Sequence, residues 1–357
     1  MDSRPNELSA KRMQLALAFE AYKTDAVRIV NRDLRGFSHL VSTRRGLFAV
    51  NEHSHLLLAQ GFFFGVTLRD GSIYAFEACD LPRGPTRQGR LVKLTREGDF
   101  LTEARVIAKA LDNGCHQVDF VEDRLLVVDT YNQQIVRFAA DFSEREVLAP
   151  LPLCPNGRWT PGDPAYMHVN SVLAVGDLIL LLLHNSSAHT GRPSEIAVYD
   201  RNWRPLERWP LEGASCHGLA LLEDGTVLTC GSDAGEVISA GGMHVEVSPL
   251  LTRGLAVGMD SVVVGASRLA QREERMVSTG TVTFMDRGYN ISSVLELPAA
   301  PMEVRRLDGL DFGLSDYLRQ LAWSSRLKVG PCVDDAVNMR ARIDGASDVV
   351  SPSREPG

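Results

Sequence analysis

The apolar positions of this chain fall in short alternating runs separated by turn residues. A period of two is the pattern of half-buried strands. Five segments repeat one template: an apolar run, a turn carrying Asp, and a second apolar run. They are FFGVTLRDGSIY (63–74), HQVDFVEDRLLV (116–127), NSVLAVGDLILL (170–181), HGLALLEDGTVL (217–228) and RGLAVGMDSVVV (253–264). In each, the turn residue (Asp70, Asp123, Asp177, Asp224, Asp260) lies seven places after the first residue, and the starts are 53, 54, 47 and 36 residues apart. A third strand-like run follows each pair: GRLVKL (89–94), QIVRF (134–138), EIAVYD (195–200), EVIS (236–239) and TVTFMD (281–286). In most cases a fourth follows. Short strands in fours, recurring at this interval, are the signature of propeller blades, which bury their faces only by stacking on neighbours.

A sixth blade is split between the ends of the chain. EVRRLDG (303–309) reads as an innermost strand with no complete blade after it. HLVST (39–43), GLFAVN (46–51) and HLLLAQ (55–60) read as three outer strands with no innermost strand before them. Joining them closes a ring and removes exposed sheet edges. The expected fold is therefore all-β, a six-bladed β-propeller over 38–310, closed by N- and C-terminal strands. The constant Asp spacing argues against a pair of β-sandwiches. Residues 1–37 form an N-terminal extension with a helix over 7–24, whose Leu8, Leu15, Phe19 and Tyr22 share a face. Residues 311–330 carry a second short helix (314–328), and 331–357 read as a disordered polar tail.

Residues 114–138, GCHQVDFVEDRLLVVDTYNQQIVRF, resemble the NHL repeat, in which a strand, an Asp turn and a strand lead into a D-T-x-N-x-x-I loop. Residues 216–238 resemble it more loosely. The likeness extends weakly over 38–310 and is similar to the six-bladed propellers of the gluconolactonase/SMP-30 kind and, more distantly, to streptogramin-lyase propellers. It implies the fold and leaves the substrate open.

The repeat places residues in space. The equivalent first positions of the innermost strands are Phe63, His116, Asn170, His217 and Arg253, with Glu303 in the split blade. They form one ring at the axis, and His168 lies a layer above Asn170. The loops between second and third strands surround the same mouth. They bring Asp129, Tyr131 and Asn132; His184, Asn185 and Ser186; Ser232 and Asp233; Ser267 and Arg268; Arg44 and Arg45; Glu77 and Asp80. Asp129 and Asn132 are most simply turn caps.

Three chemistries fit such a mouth. His116, His217, Asn170 and Glu303 suit a divalent cation. In gluconolactonase-like propellers, carboxylates and an amide hold that cation; Glu303 and Asn170 match, while His116 and His217 replace oxygen ligands and point to a softer metal or none. Alternatively, His116 and His217 act as general base and acid near neutral pH, with Arg253 clamping an anionic group. His168, Asn170, Phe63, His184, Asn185 and Tyr131 would then contact substrate. Such a site is that of a hydrolase, lyase or isomerase. The third reading is a non-catalytic binding module, whose sign would be an exposed apolar mouth; Phe62, Phe63 and Phe64 in a row keep it open.

Composition narrows the partners. The chain has 357 residues, a net charge of −7 and 23% charged residues, ordinary for a globular protein. No basic cluster interleaved with aromatics marks a nucleic-acid partner. No apolar run is long enough to cross a membrane. No GxGxxG or GxxxxGK[ST] opens a helix, so no nucleotide cofactor is expected, and HExxH and GxSxG are absent. Six cysteines without CxxC spacing, and no apolar leader, fit reduced thiols in a cytoplasm. The expected partner is a small, anionic molecule.

Overall fold

The computed structural model describes residues 4–81, 86–268, 278–315 and 327. Six antiparallel sheets are arranged around one axis. The innermost strands are Phe62–Arg69, Cys115–Val121, Val169–Val175, His217–Leu221, Leu251–Val257 and Pro301–Arg306. Each touches the next, and the sixth touches the first, so the ring is closed. The fold is the expected six-bladed propeller. Apolar side chains of adjacent blades fill the wedges between them, as with Leu173, Leu180 and Leu182 against Leu219, Leu221 and Ile238.

The split blade closes as the alternation predicts. Pro301–Arg306 pairs antiparallel with His39–Thr43, Val41 facing Val304. Gly46–Val50 and His55–Gln60 follow outward, and a fifth strand, Arg28–Ile29, covers the outer edge. That fifth strand falls in the segment expected to be an extension. Its two residues are too few to show a period.

The N-terminal helix spans Arg4–Thr24. Ala18 and Ala21 are buried, and Leu15 and Tyr22 pack on the first two blades. Phe19, expected on that face, is 41% exposed beneath the Lys23 ammonium, 4.3 Å from the ring centre. The side chain of Leu8, most of the expected C-terminal helix and the 331–357 tail lie outside the described residues. Phe312, Leu314 and Leu327 are described and buried. Among the described residues no helix is long and apolar enough to cross a membrane. Cys79, Cys115, Cys216 and Cys230 are buried and free; burial pushes the Cys79 and Cys216 thiols up to about 12, which keeps them unreactive.

Candidate functional site at the propeller axis

Every innermost strand carries one extra residue relative to its neighbour, at the same level of the disc. The pairing slips between Phe63 and Val66, Val169 and Ser171, His217 and Ala220, and Thr252 and Leu255. It slips likewise opposite Val127–Asp129 and Ser42–Thr43. Such bulges re-aim side chains, and here they turn one residue per blade onto the axis. Gly218 and Gly254 take φ of 75° and 86°, which a side chain would resist.

The residues so aimed line one narrow cavity: Phe64, His116, Asn170, His217, Arg253 and Glu303, with Ser171, Gly218, Gly254 and Met302 beside them. Five of the six expected ring positions come together. The exception is Phe63, which is fully buried between the sixth and first blades, while Phe64 faces the axis. The reason lies in the turn. Asp70 is the first residue of its Asp70-Gly71 turn, whereas Asp123 and Asp177 are second in theirs. Counting back from Asp70 therefore overshoots by one, and one residue reverses the face. Phe62, Phe63 and Phe64 are all buried, so the run makes no exposed apolar mouth.

Four imidazoles form a contiguous chain above the cavity. His116 meets His168 edge-on at 5.4 Å, His168 stacks on His184 at 4.4 Å, and His184 meets His217 at 5.2 Å. Tyr166 lies 5.3 Å from His168 and stacks on Tyr131. Asn185 sits at the mouth, its amide held by the Pro193 carbonyl at 2.9 Å and its Oδ1 without a partner. His168, Asn185, Ser186 and Ser215 all hold positive φ without being glycine. Strain of this kind persists where the surroundings over-determine it, and it gathers at functional sites.

Backbone contacts fix two of the rings. His116 Nδ1 lies 2.8 Å from the Gly114 carbonyl oxygen, and His217 Nδ1 lies 2.7 Å from that of Ser215. A carbonyl only accepts, so Nδ1 carries the proton and Nε2 is left as a base. Ser232 Oγ supports His217 at 3.0 Å. His168 Nε2 and His184 Nδ1 are buried without partners.

The electrostatics of the four rings are set mainly by burial. Burial, reinforced by the Arg253 guanidinium, pushes His116 and His184 down to about 3. Burial also holds His168, among its fellow imidazoles, and His217, beside Arg253, well below the ordinary range. Burial thus favours the neutral form of all four rings in the ligand-free protein. Of the residues lining the cavity, Glu303 is raised by burial to about 7, while Arg305 and Arg253 pull it down and Asp311 pushes it up.

The expected cation ligands line one cavity, but two of them are engaged with other partners. Asn170 Nδ2 donates to the Cys216 carbonyl at 2.7 Å and its Oδ1 accepts from Ser171, lacing the third blade to the fourth. Glu303 pairs with Arg305 at 3.1 Å. Among the described residues no three His, Cys, Asp or Glu side chains are placed to hold a metal ion. Of the surrounding loops, Asp129 caps Asn132 with two 2.9 Å bonds. Glu77 and Arg45 lie away from the axis, Glu77 in a buried pair with Arg90 at 2.7 Å.

Sequence reasoning missed Phe64, Met302, Ser171 and Tyr166. Tyr166 comes from 149–168, a Pro/Gly-rich connection whose Trp159 and Tyr166 pack on Tyr131. Its aromatics were the available signal.

The other mouth is closed. Phe312 N–H donates to the Val257 carbonyl at 2.8 Å, and Leu221 N–H to the Phe312 carbonyl at 3.2 Å. Ala174 N–H donates to Ser315 Oγ, and Ser315 N–H to Asp119 Oδ2, at 2.9 and 2.8 Å. Residues 311–315 thus bond to the ends of four innermost strands.

No protein-family model and no curated protein matches this chain. Among solved structures it is similar to a chain in a nidogen/laminin complex, with a TM-score of 0.51, 9% identity, and coverage of 77% of this chain and 99% of that one. It is also similar to a Bacteroides caccae protein of unknown function, with a TM-score of 0.50, 14% identity, and coverage of 76% and 99%. A Staphylococcus aureus virginiamycin B lyase aligns with a TM-score of 0.40, 10% identity, and coverage of 66% and 69%. At these identities the first two define the class, a six-bladed β-propeller, and nothing finer.

Proposed function

We propose that the chain is an enzyme of lyase or isomerase type acting on a small anionic molecule at the propeller axis. The observation that carries this reading is the pairing, in one cavity, of a cation, Arg253, with a carboxyl group that titrates at about 7, Glu303. A base near neutrality is best placed for proton transfer. The cavity holds only about 10 Å3 for the centre of a water, room for a single small group. The substrate's carboxylate enters there, and the rest of it extends outward past the rings of His168 and His184. Glu303 removes a proton from the carbon beside that carboxylate. The electron pair is delocalised onto the carboxylate, where Arg253 stabilises it. The pair then either expels a leaving group from the adjacent carbon or recaptures the proton at another position. Neutral imidazoles suit this role, because they accept hydrogen bonds from substrate hydroxyls without repelling Arg253. An arriving anion offsets Arg253 and raises the imidazoles toward their ordinary range.

The test is a screen of small carboxylates and phosphorylated acids by thermal shift, followed by turnover assays. Glu303→Gln should keep the ligand and lose at least about 100-fold in turnover, and Arg253→Met should lose the ligand. Wild-type turnover in Glu303→Gln overturns the mechanism. A ligand bound but never transformed makes the propeller a binding module.

A further inference from the structure

We propose a second ligand site, remote from the axis, that takes a single-chain amphiphile with a carboxylate head. Between the N-terminal helix and the sixth blade lies a cavity of about 440 Å3, within the range of ligand pockets. Met13, Leu17, Phe48, Leu57, Phe62 and Pro298 supply its apolar wall. Arg28 and Arg45 supply charge, and among the described residues no carboxylate lines it.

The helix is built to stand over this space rather than fill it. Its C-terminal end is anchored: Arg90 Nη1 donates to the Ala21 carbonyl at 2.7 Å, and Nη2 to that of Ala26 at 2.7 Å. Lys109 donates to the Tyr22 carbonyl at 2.8 Å. One to two turns earlier, Met13 and Leu17 share a face and remain 61% and 44% exposed. Apolar side chains lining an open-sided cleft yet left in water are the surface an alkyl chain would cover.

The head-group position follows from the sheet. Arg28 pairs with Gln60 on one side, and Gly46, the neighbour of Arg45, pairs with Gln60 on the other. Both arginines therefore flank one point of the blade edge. The Arg45 guanidinium donates from Nη1 to the Pro298 carbonyl at 2.8 Å. Arg28 Nε and Gln14 Oε1 are buried without hydrogen-bond partners. Glu77 acts on Arg28 electrostatically; its Oε2 is bound by Arg90, and its Oε1 is buried without a hydrogen-bond partner and does not line the cavity. A carboxylate would satisfy the guanidinium groups, and an alkyl chain would run along Leu57 and Phe62 beneath Met13 and Leu17.

Calorimetry of the full chain with dodecanoate and with dodecanol separates head from tail. Saturable binding of dodecanoate is expected, weakened at least tenfold by Arg28→Gln and by Arg45→Gln, with dodecanol binding unchanged in both variants. Met13→Glu should abolish binding of both, and the melting temperature of each variant confirms its fold. Arg253→Met should bind dodecanoate as wild type does, which separates this site from the axial one. Absence of saturable binding, or equal dodecanoate affinity in wild type and both arginine variants, overturns the proposal. So does loss of binding in Arg253→Met.

Discussion

The same six innermost strands carry polar groups at both ends of the axis, and the two ends treat them differently. At the closed end, Arg305, Asp119 and Asp311 are at most 1% exposed. Asp311 accepts from the backbone of Gly313 and Arg306, at 2.8 and 3.1 Å, and Asp119 accepts from Thr67 and Ser315. Arg305 is held charged by Glu303, Asp311 and Asp119. At the other end, His168 Nε2, His184 Nδ1 and Asn185 Oδ1 are buried without a partner, on strained backbone. The two aspartates, satisfied within the protein, serve the fold, while Arg305 is held by charge and keeps a buried Nε without a hydrogen bond. Polar groups left waiting around a cation are what a ligand completes. Glu303 sits between the two ends, paired to Arg305 below and facing Arg253 above, and its burial there raises its pKa although both arginines pull it down.

Removing an acid from the closed end should be the most damaging change. Asp311→Ala strips the backbone N–H groups of Val257, Arg306 and Gly313 of their acceptor, removes a charge that acts on Arg305, and should cost about 3–5 kcal/mol, read from urea unfolding; a cost under about 1 kcal/mol would show that 311–315 does not seal the base. Gly254→Ala comes next. Its φ of 86° and a new Cβ 2.9 Å from Val304 N predict a loss of about 1–3 kcal/mol. An undamaged midpoint would mean that the bulge can relax.

Acidification should act mainly at the open end. The folded rings of His116 and His184 bind protons only near pH 3, against 6.5 for free imidazole, so the unfolded chain holds more protons in that window. Stability should therefore fall as pH drops from about 6.5 toward 3. Glu303 acts in the opposite sense: its contribution is complete below its ordinary 4.5 and is lost as pH rises through about 7. Urea midpoints at pH 7 and 4.5 should differ less in a His116→Gln/His184→Gln variant than in wild type. An unchanged difference would move the titrating groups elsewhere. The smallest effect is expected for Arg253→Met, about 0.5 kcal/mol or less, because its loss also relieves the neighbouring imidazoles. A large loss would reassign Arg253 from ligand binding to the fold.

Much of this architecture is legible along the chain. Strand alternation, the Asp turns and the unmatched strands at the two ends predict six blades and their closure, because each rests on residues near in sequence or on a simple complementarity of unpaired edges. His116, Asn170, His217, Arg253 and Glu303 follow from the same register. Phe63 fails where the turn Asp shifts by one place, and a period-two argument has no tolerance for that. Tyr166 escapes because 149–168 has no period to read.

The blades, their order and the residue types that meet at the axis are readable along the chain, since they follow from local periodicity repeated around a ring. Their chemistry comes from the packing of the closed ring. The packing of residues some fifty places apart desolvates four imidazoles to neutrality, lifts Glu303 to about 7, spends Asn170 on lacing two blades, and leaves a charged cavity under the N-terminal helix. Proton affinity depends on distance and burial, and neither is a property of the chain until it closes on itself.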